Sequence, residues 1–281
     1  MPQARREKGE QLEAIARRMR RDIITSTTRA GSGHPSTSLS MVEILTVLYF
    51  GGVLRYDPAN PEDPERDRFI LSKGHGAPGL YAALAEAGYF PLSELGTLRE
   101  LGSRLEGHPN MNRLPGVEAS TGSLGQGLSI GIGHALAARL DGRGYRVYVM
   151  VGDGETEEGQ VWEAIMYAGN HELDNLTLIV DRNGYQQTAA VDDVQPLDPL
   201  DVKLSSFGWE VTTVTDGHSL TEVAKAFEWA RRVRGAPQAL IANTIKGKGV
   251  SYLEQRAGSF HGKPLPKDEE AKALEEIGAA Q

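Results

Sequence analysis

The stretch VGDGETEEGQVWEAIMYAGNHELDNLTLIVDRNGYQQ, residues 151–187, decides the fold. It begins at the end of one apolar run, YRVYVMV at 145–151, and contains a second, NLTLIVD at 175–181. The segment between them, roughly 157–173, predicts a helix. A strand, a helix and a strand in this order form a right-handed unit, so both strands run in parallel and end at the same edge of the sheet.

Two further apolar runs predict strands, WEVTTVT at 209–215 and QALIANTI at 238–245, with a helical segment at 219–233 between them. All the runs are nearly continuous, which is typical of strands buried on both faces. The predicted fold class is therefore α/β, a doubly wound, mostly parallel sheet with helices on both faces.

Apolar residues spaced by three and four predict an N-terminal helix at about 8–30. Further helices are predicted at about 39–50, after Pro78 with a stop at Gly88, and in an acidic tail at about 268–276. Neither a repeat nor a linker-like tract interrupts the sequence. We therefore expect residues 1–281 to form one domain.

Composition excludes several classes of protein. The 281 residues include no cysteine, so a disulfide framework, a thiolate zinc site and a cysteine nucleophile are excluded. The apolar runs are far shorter than the roughly 20 residues that span a bilayer, and no apolar segment follows the basic N-terminus as a targeting peptide requires. A net charge of −8 disfavours nucleic acid. We expect a cytoplasmic protein with neither a membrane nor a nucleic-acid partner.

Glycine is over-represented, with 33 residues. Gly125, Gly127, Gly131 and Gly133 recur in a helix pattern at 121–140. Because each glycine inside a helix costs roughly 1 kcal/mol relative to alanine, we expect each of them to allow a close approach of other atoms.

Asp153 follows the first strand of the deciding stretch, and Asn183 follows the second. We expect both at the carboxyl edge of the sheet, where open α/β folds bind ligands. A carboxylate and an amide oxygen suit Mg²⁺ or Ca²⁺. Gly152 and Gly154 flank the aspartate, so backbone N–H groups can approach an anion there.

Other interpretations of this segment are a simple strand-to-helix turn, in which Asp and Gly are common, and an EF-hand-like loop. The EF-hand interpretation places Glu155 and Glu157 near ligand positions, but Glu158 occupies the position that requires glycine. A GxxxxGK[ST] nucleotide loop is absent from the sequence.

Six of the seven histidines have glycine as an immediate neighbour. Four lie in the loop-like contexts SGHP, SKGHGAP, EGHPN and FHGKPLP: His34, His75, His108 and His261. Imidazoles in loops can donate hydrogen bonds to sugar hydroxyls and move protons near neutral pH. The other three lie in helical or surface segments and are expected to be structural: His134, His171 and His218.

A GDG sequence followed about 30 residues later by Asn resembles the motif of the thiamine-diphosphate enzymes. The resemblance implies that three residues hold the metal that bridges the cofactor diphosphate, Tyr185 through its carbonyl: Asp153, Asn183 and Tyr185. Together with the four histidine contexts, TGSLGQG at 121–127 and RDRFILSKGHG at 66–76 make the chain similar to transketolase. The similarity runs from about residue 10 to about 267 and concerns the N-terminal, diphosphate-binding domain of that enzyme.

This resemblance implies roles for further residues. The diphosphate would be contacted by His75, Gly154 and His261. The thiazolium and aminopyrimidine rings would be lined by Gly122, Leu124 and Gln187. The substrate would be faced by His34, His108 and His261, with His108 near the hydroxyl of the two-carbon unit. Two cations at the entrance to the cofactor and substrate site would be Lys246 and Lys263. A buried glutamate at a subunit interface would be Glu158.

The implied activity is transfer of a two-carbon ketol unit from a ketose phosphate to an aldose, with thiamine diphosphate and Mg²⁺ or Ca²⁺ as cofactors. In the family, the glutamate that activates the aminopyrimidine ring lies in a second domain, as does the sugar-phosphate site. We therefore expect this chain to be inactive without a C-terminal partner subunit that carries the pyrimidine-binding domain, in a two-plus-two heterotetramer. The starting Met and an ending that interrupts no motif favour a natural split subunit over an excised fragment.

Two alternatives share the same metal motif. Half of a deoxyxylulose-phosphate synthase or the alpha subunit of a 2-oxo acid dehydrogenase would share Asp153 and Asn183 but not the paired GHP sequences at His34 and His108. A non-catalytic cofactor-binding subunit is the other alternative. Retention of the metal residues and of all four loop histidines favours a catalytic role.

Overall fold

The computed structural model describes residues 2–279, with side chains described for residues 9–278. Its main sheet has five parallel strands in the order β1-β2-β3-β7-β6, and β4 and β5 form a small antiparallel hairpin. The strands are β1 Arg68–Leu71, β2 Val147–Gly152, β3 Leu176–Arg182, β4 Tyr185–Gln186, β5 Ala189–Ala190, β6 Glu210–Val214 and β7 Gln238–Asn243. The prediction of a mostly parallel α/β sheet is confirmed.

Helices cover both faces of this sheet. They are α1 Pro2–Ala30, α2 Pro35–Ser40, α3 Val42–Phe50, α4 Ala77–Glu86, α5 Gln126–Leu140, α6 Gly159–Asn170, α7 Val191–Val194, α8 Leu200–Ser206, α9 Leu220–Ala230, α10 Ser251–Gln255 and α11 Lys267–Ala279. Within residues 2–279, none of these helices is both long enough and apolar enough to cross a membrane.

Alternate residues of β2 enter two different apolar cores. Val149 and Val151 pack with α5, α6 and α8 on one face, whereas Tyr148 and Met150 pack with α1, α3, α4 and α9 on the other. Both sets of side chains are fully buried, which explains why the strand sequence is apolar without alternation.

Three of the differences between the structure and the sequence-based expectation concern β1, the helix expected at 39–50 and the N-terminal helix. The edge strand β1 was not predicted, because its four residues RFIL begin at the last residue of the charged run 65–68 and are too short for a periodic pattern. The helix expected at 39–50 is divided at Met41 into α2 and α3. The N-terminal helix expected at 8–30 begins at Pro2.

Two of the helix glycines in α5 fill positions where a side chain would not fit. A Cβ atom on Gly127 would overlap Ser72, and one on Gly131 would overlap Val149 of β2. Gly133, by contrast, has no atom within 4 Å of its Cβ position. The expectation of close approach is therefore wrong for Gly133, which lies on the exposed side of the helix.

These two environments give a matched pair of variants. Gly131→Ala forces a methyl group against a buried valine, so we expect unfolding free energy to fall by about 1–3 kcal/mol. Gly133→Ala gains helix propensity with no overlap, so we expect it to rise by up to about 1 kcal/mol. Urea denaturation of the two variants and the wild type measures both, and equal effects of the two substitutions would contradict this account of α5.

Candidate functional site

A cleft of 490 Å³ lies at the carboxyl ends of β2, β3 and β7. Its lining includes every residue of the predicted metal, cofactor and catalytic sets: His34, His75, His108, Gly122, Leu124, Asp153, Gly154, Glu158, Asn183, Tyr185, Gln187, Lys246 and His261. Lys263 is exposed and does not belong to this lining. The structure thus brings together residues from distant parts of the sequence, and their individual roles remain predictions.

Asp153 is a buried carboxylate at the end of β2, with 2% of its surface exposed. Its Oδ1 accepts a hydrogen bond from the Gly154 N–H at 2.9 Å and its Oδ2 accepts one from the Gly184 N–H at 2.6 Å. Among the described side chains, no Lys or Arg forms an ion pair with it. Burial, together with the nearby Asp181, raises the pKa of Asp153 to about 6. A cation placed here would supply the ion-pair partner that the described side chains do not provide.

Asn183 and Tyr185 form the turn that follows β3. The Asn183 Oδ1 accepts a hydrogen bond from the Tyr185 N–H at 3.2 Å. Gly184, between them, has a φ of 80°, which glycine adopts without strain, and its N–H is bonded to Asp153. The turn and the carboxylate are therefore held together directly.

The donor set of this edge fits a hard cation such as Mg²⁺ or Ca²⁺. It offers the Asp153 carboxylate, the Asn183 amide oxygen and backbone carbonyls, which are oxygen ligands of the kind that both ions prefer. Within the described part of the chain, no group of three or more His, Cys, Asp or Glu side chains is placed to hold a metal. A cation here would therefore complete its coordination with water and ligand oxygens.

Asp181 and Lys73 form a buried ion pair beneath the cleft. The Asp181 carboxylate also accepts hydrogen bonds from the Ser40 hydroxyl at 2.6 Å, from the Thr244 hydroxyl and from the Asn183 side-chain amide at 3.4 Å. Burial by itself would raise the pKa of Asp181, but the Lys73 ammonium and the hydrogen bonds from Ser40 and Thr244 together outweigh it and hold that pKa below its ordinary value. The sequence did not predict this pair, although Lys73 lies in the SKGHGAP context and Asp181 ends the apolar run NLTLIVD.

Glu155, rather than Glu158, is the buried glutamate of the GDGETEE segment. Its carboxylate accepts hydrogen bonds from the Ser72 hydroxyl at 2.6 Å, the Gly125 N–H at 2.9 Å and the Gly152 N–H at 3.0 Å. Glu157 accepts two hydrogen bonds from the Gln186 amide. Because Glu155 and Glu157 have protein donors as partners, nothing in this loop favours the EF-hand interpretation.

Glu158 is exposed on the surface of this chain and borders the cleft. The expected burial is therefore not provided by the chain itself. Its predicted place at a subunit interface requires a second chain to cover it and stays a prediction.

Three imidazole rings form a triangle on one wall of the cleft. The ring centroids lie 5.2 Å apart for His34 and His75, 5.2 Å for His34 and His261, and 5.4 Å for His75 and His261. Burial lowers the pKa of His34 and of His261 to about 4 and lowers that of His75 well below its ordinary value. At neutral pH all three rings are neutral, so each has one donor and one acceptor nitrogen.

His34 and His108 have features that point to a ligand. The Nδ1 of His34 is buried and has no hydrogen-bond partner among the described residues. His108 lies against Gly122, whose Cβ position is 3.0 Å from the His108 ring. Burial lowers the pKa of His108 as well. A side chain at position 122 would therefore displace this imidazole.

Lys246 is a buried cation that faces the same cleft, with 2% of its surface exposed. Its Nζ donates to the Gln187 carbonyl at 3.0 Å and lies 3.2 Å from the His261 Nδ1. No carboxylate among the described side chains forms an ion pair with it, and burial lowers its pKa to about 8. A buried ammonium with neutral partners is suited to bind an anion.

The three histidines expected to be structural lie outside the cleft lining. His171 stacks on Tyr167 with ring centroids 3.9 Å apart. His218 is buried against Glu43 and accepts a hydrogen bond from the Ile245 N–H. It therefore contacts the loop that carries Lys246, a connection that the sequence did not indicate.

Two curated relatives are matched over nearly their whole length. The 6-deoxy-6-sulfo-D-fructose transketolase subunit SqwG of Clostridium sp. (strain MSTE9) is 44% identical over 250 residues, which are 89% of this chain and 90% of that protein. One of the subunits of the apulose-4-phosphate transketolase of Actinobacillus succinogenes is 44% identical over 270 residues, which are 95% of this chain and 96% of that protein.

Full-length transketolases are matched over less than half of their length. The mouse enzyme is 44% identical over 267 residues, which are 95% of this chain and 42% of the mouse protein. The crystal structure of transketolase from Campylobacter jejuni matches with a TM-score of 0.89 and 33% identity, covering 95% of this chain and 42% of that one. Residues 11–281 match the family described as transketolase, thiamine diphosphate binding domain, and the chain therefore belongs to this family.

Proposed function

We propose that this chain is the diphosphate-binding subunit of a two-subunit transketolase. With a partner subunit that carries the pyrimidine-binding domain, it would transfer a two-carbon ketol unit from a ketose phosphate to an aldose or aldose phosphate. The observation that carries the proposal is a single cleft that holds a buried carboxylate and a buried ammonium, neither with an ion-pair partner among the described side chains, and three neutral imidazoles. The match to two proteins named as transketolase subunits, over 90% and 96% of their lengths, supports the two-subunit form.

On the diphosphate side, Asp153, Asn183 and the Tyr185 carbonyl would hold Mg²⁺ or Ca²⁺. Such a cation would compensate the Asp153 charge and attract diphosphate oxygens. The anion would also be bound by Lys246, by the imidazoles of His75 and His261 and by the Gly154 N–H. When bound, thiamine diphosphate supplies the carbon centre that carries the ketol unit.

On the substrate side, His34, His108 and His261 would bind sugar hydroxyls and move their protons. Their lowered pKa values keep the rings neutral, so that one nitrogen can accept a proton while the other donates a hydrogen bond. The unpartnered Nδ1 of His34 is free to take a hydroxyl as its partner. Because Gly122 has no side chain, it would leave the space that the His108 ring occupies.

The cofactor rings would be enclosed by two chains. Gly122, Leu124 and Gln187 would line one side, and the partner subunit would cover the other and supply the activating glutamate. The exposed Glu158 at the edge of the cleft would then be buried by a neighbouring chain of the assembly. A two-plus-two heterotetramer in the cytoplasm is the arrangement that we propose.

The metal assignment is tested by Asp153→Asn, which keeps the side-chain size but removes the negative charge. We expect the Mg²⁺-dependent affinity of the chain for thiamine diphosphate, measured by calorimetry, to fall by about 100-fold or more, because removing one partner of a buried charge interaction costs about 3 kcal/mol or more. The control is Asp201→Asn, at an exposed position outside the cleft, which should bind as the wild type does. Equal affinity of the Asp153 variant and the wild type would refute the assignment.

The two-subunit proposal is tested by a coupled ketol-transfer assay with thiamine diphosphate, Mg²⁺, a ketose phosphate donor and an aldose phosphate acceptor. We expect the purified chain to show no turnover, because the groups that contact the aminopyrimidine from its second side are supplied in trans. Adding the partner subunit, identified by co-purification, should restore turnover, and the Asp153→Asn chain with the same partner should remain inactive. Robust turnover by the chain alone would reject the proposal.

A further inference from the structure

A buried triad of Arg20, Glu43 and His218 lies behind the loop that carries Lys246. Arg20 comes from α1, Glu43 from α3, and His218 from the connection between β6 and α9. The Arg20 Nη2 lies 2.6 Å from one Glu43 carboxylate oxygen and 2.8 Å from the other. All three side chains are less than a tenth exposed. None of them lines the cleft.

The hydrogen bonds of His218 fix the role of each ring nitrogen. The Ile245 N–H points at the His218 Nε2 at 2.8 Å, so Nε2 must be the acceptor. The proton is therefore on Nδ1, which donates to the Glu43 carboxylate at 2.8 Å. Burial would raise the pKa of Glu43, but the Arg20 charge and the His218 hydrogen bond outweigh it and hold that pKa below its ordinary value. A charged Glu43 thus maintains the tautomer that can accept from Ile245.

The same loop is held at two further backbone positions. The Gly247 N–H donates to the Ser36 carbonyl at 2.8 Å, and the Lys248 carbonyl accepts from the Arg20 Nε at 3.2 Å. Gly247 and Gly249 have φ values of 85° and 91°. Glycine adopts this left-handed conformation about as readily as conformations with negative φ. The loop also has an internal turn hydrogen bond, from the Lys248 N–H to the Ile245 carbonyl at 3.2 Å, so the external bonds fix where this turn lies relative to the cleft.

Lys246 is the residue between the anchored positions, and it is the one that enters the cleft. Its ammonium has a carbonyl and an imidazole as neighbours, and among the described side chains no carboxylate forms an ion pair with it. Its side chain also lies over the Tyr185 ring, 5.5 Å from the centroid. The place of this cation is consequently set by where the backbone at 245–248 is held.

We propose that His218 is a positioning residue for anion binding: by accepting from the Ile245 N–H, it holds the Lys246 backbone so that the ammonium lies at the diphosphate position. This inference rests on the proposed function of Lys246. In this proposal, Glu43 of α3 acts on the cleft through His218 and the loop that carries Lys246.

Two substitutions of His218 each keep one hydrogen bond of the imidazole ring and remove the other. In His218→Gln, the side-chain oxygen can take the place of Nε2 and accept from Ile245. In His218→Asn, the side-chain amide can take the place of Nδ1 and donate to Glu43, but nothing reaches Ile245. Each variant loses one hydrogen bond of the triad, so similar losses of stability are expected for both.

The first experiment measures the affinity of inorganic pyrophosphate with Mg²⁺ by calorimetry, together with hydrogen exchange of the Ile245 amide. We expect His218→Asn to weaken binding about tenfold or more, the usual effect of removing a group that orients a ligand-binding residue, and to speed the exchange of Ile245. His218→Gln should stay within about threefold of the wild type in affinity and keep the amide protected. Equal affinities of the wild type and both variants, or equal weakening in both variants, would overturn the inference.

The second experiment repeats His218→Asn in a Lys246→Met chain. If His218 acts through Lys246, the Asn substitution should cause no further loss of pyrophosphate affinity in that background, because coupled residues are non-additive. A further tenfold loss there would indicate a general structural effect and reject the inference. Failure of the wild-type chain itself to bind pyrophosphate with Mg²⁺ would instead reject the proposed function, and the inference with it.

Discussion

The ion pair between Lys73 and Asp181 connects the segments that form the cleft. Asp181 lies in β3, and its carboxylate contacts three other segments of the chain. The contacts come from Lys73 after β1, Ser40 at the end of α2 and Thr244 after β7. Because both charges are buried, either one left alone would cost about 3–5 kcal/mol, so the arrangement is stable only when all these segments are in place. The same carboxylate accepts from the Asn183 amide, which couples the geometry of the predicted metal turn to the assembly of the sheet.

Within the described part of the chain, Asp153, at the end of the neighbouring strand β2, has no ion-pair partner of the kind that Asp181 has in Lys73. The Asp153 N–H donates to the Asp181 carbonyl at 3.4 Å, so the two residues are direct neighbours, yet Asp181 is paired with lysine and Asp153 is not. Burial and, after it, the charge of Asp181 raise the pKa of Asp153, and burial and, after it, the charge of Lys73 lower the pKa of Lys246. One carboxylate and one ammonium thus lie in the same cleft without an ion-pair partner among the described side chains. A divalent cation bound together with a polyanion satisfies both, which is the physical reason to expect metal and diphosphate binding to be coupled.

Much of the fold and the membership of the site could be predicted from the sequence, since both follow from the ends of apolar runs. Parallel strands place Asp153 and Asn183 at one edge, and the loop histidines reach the same cleft. Contacts between distant residues could not be predicted in this way. Glu155 accepts hydrogen bonds from Ser72 and Gly125, which are distant in the sequence, and is buried, whereas Glu158, three positions later, is exposed. Lys263 is only two positions after His261 but lies in solvent, since the direction of a loop side chain depends on packing that no local pattern encodes.

The buried histidines of the cleft and His218 behind it have different partners. In the cleft, His34, His75 and His261 have one another as neighbours, with Lys246 near His34 and His261 and Lys73 near His75, so desolvation and nearby positive charge both favour the neutral rings. Behind the cleft, His218 has Glu43 as a neighbour, and the carboxylate fixes a single tautomer. The first environment leaves nitrogen atoms available to a ligand, as the unpartnered Nδ1 of His34 illustrates, whereas the second uses both nitrogens within the protein. The glycine next to each ring is common to both, so the distinction between a binding and a positioning histidine comes from the charge that the fold places beside it.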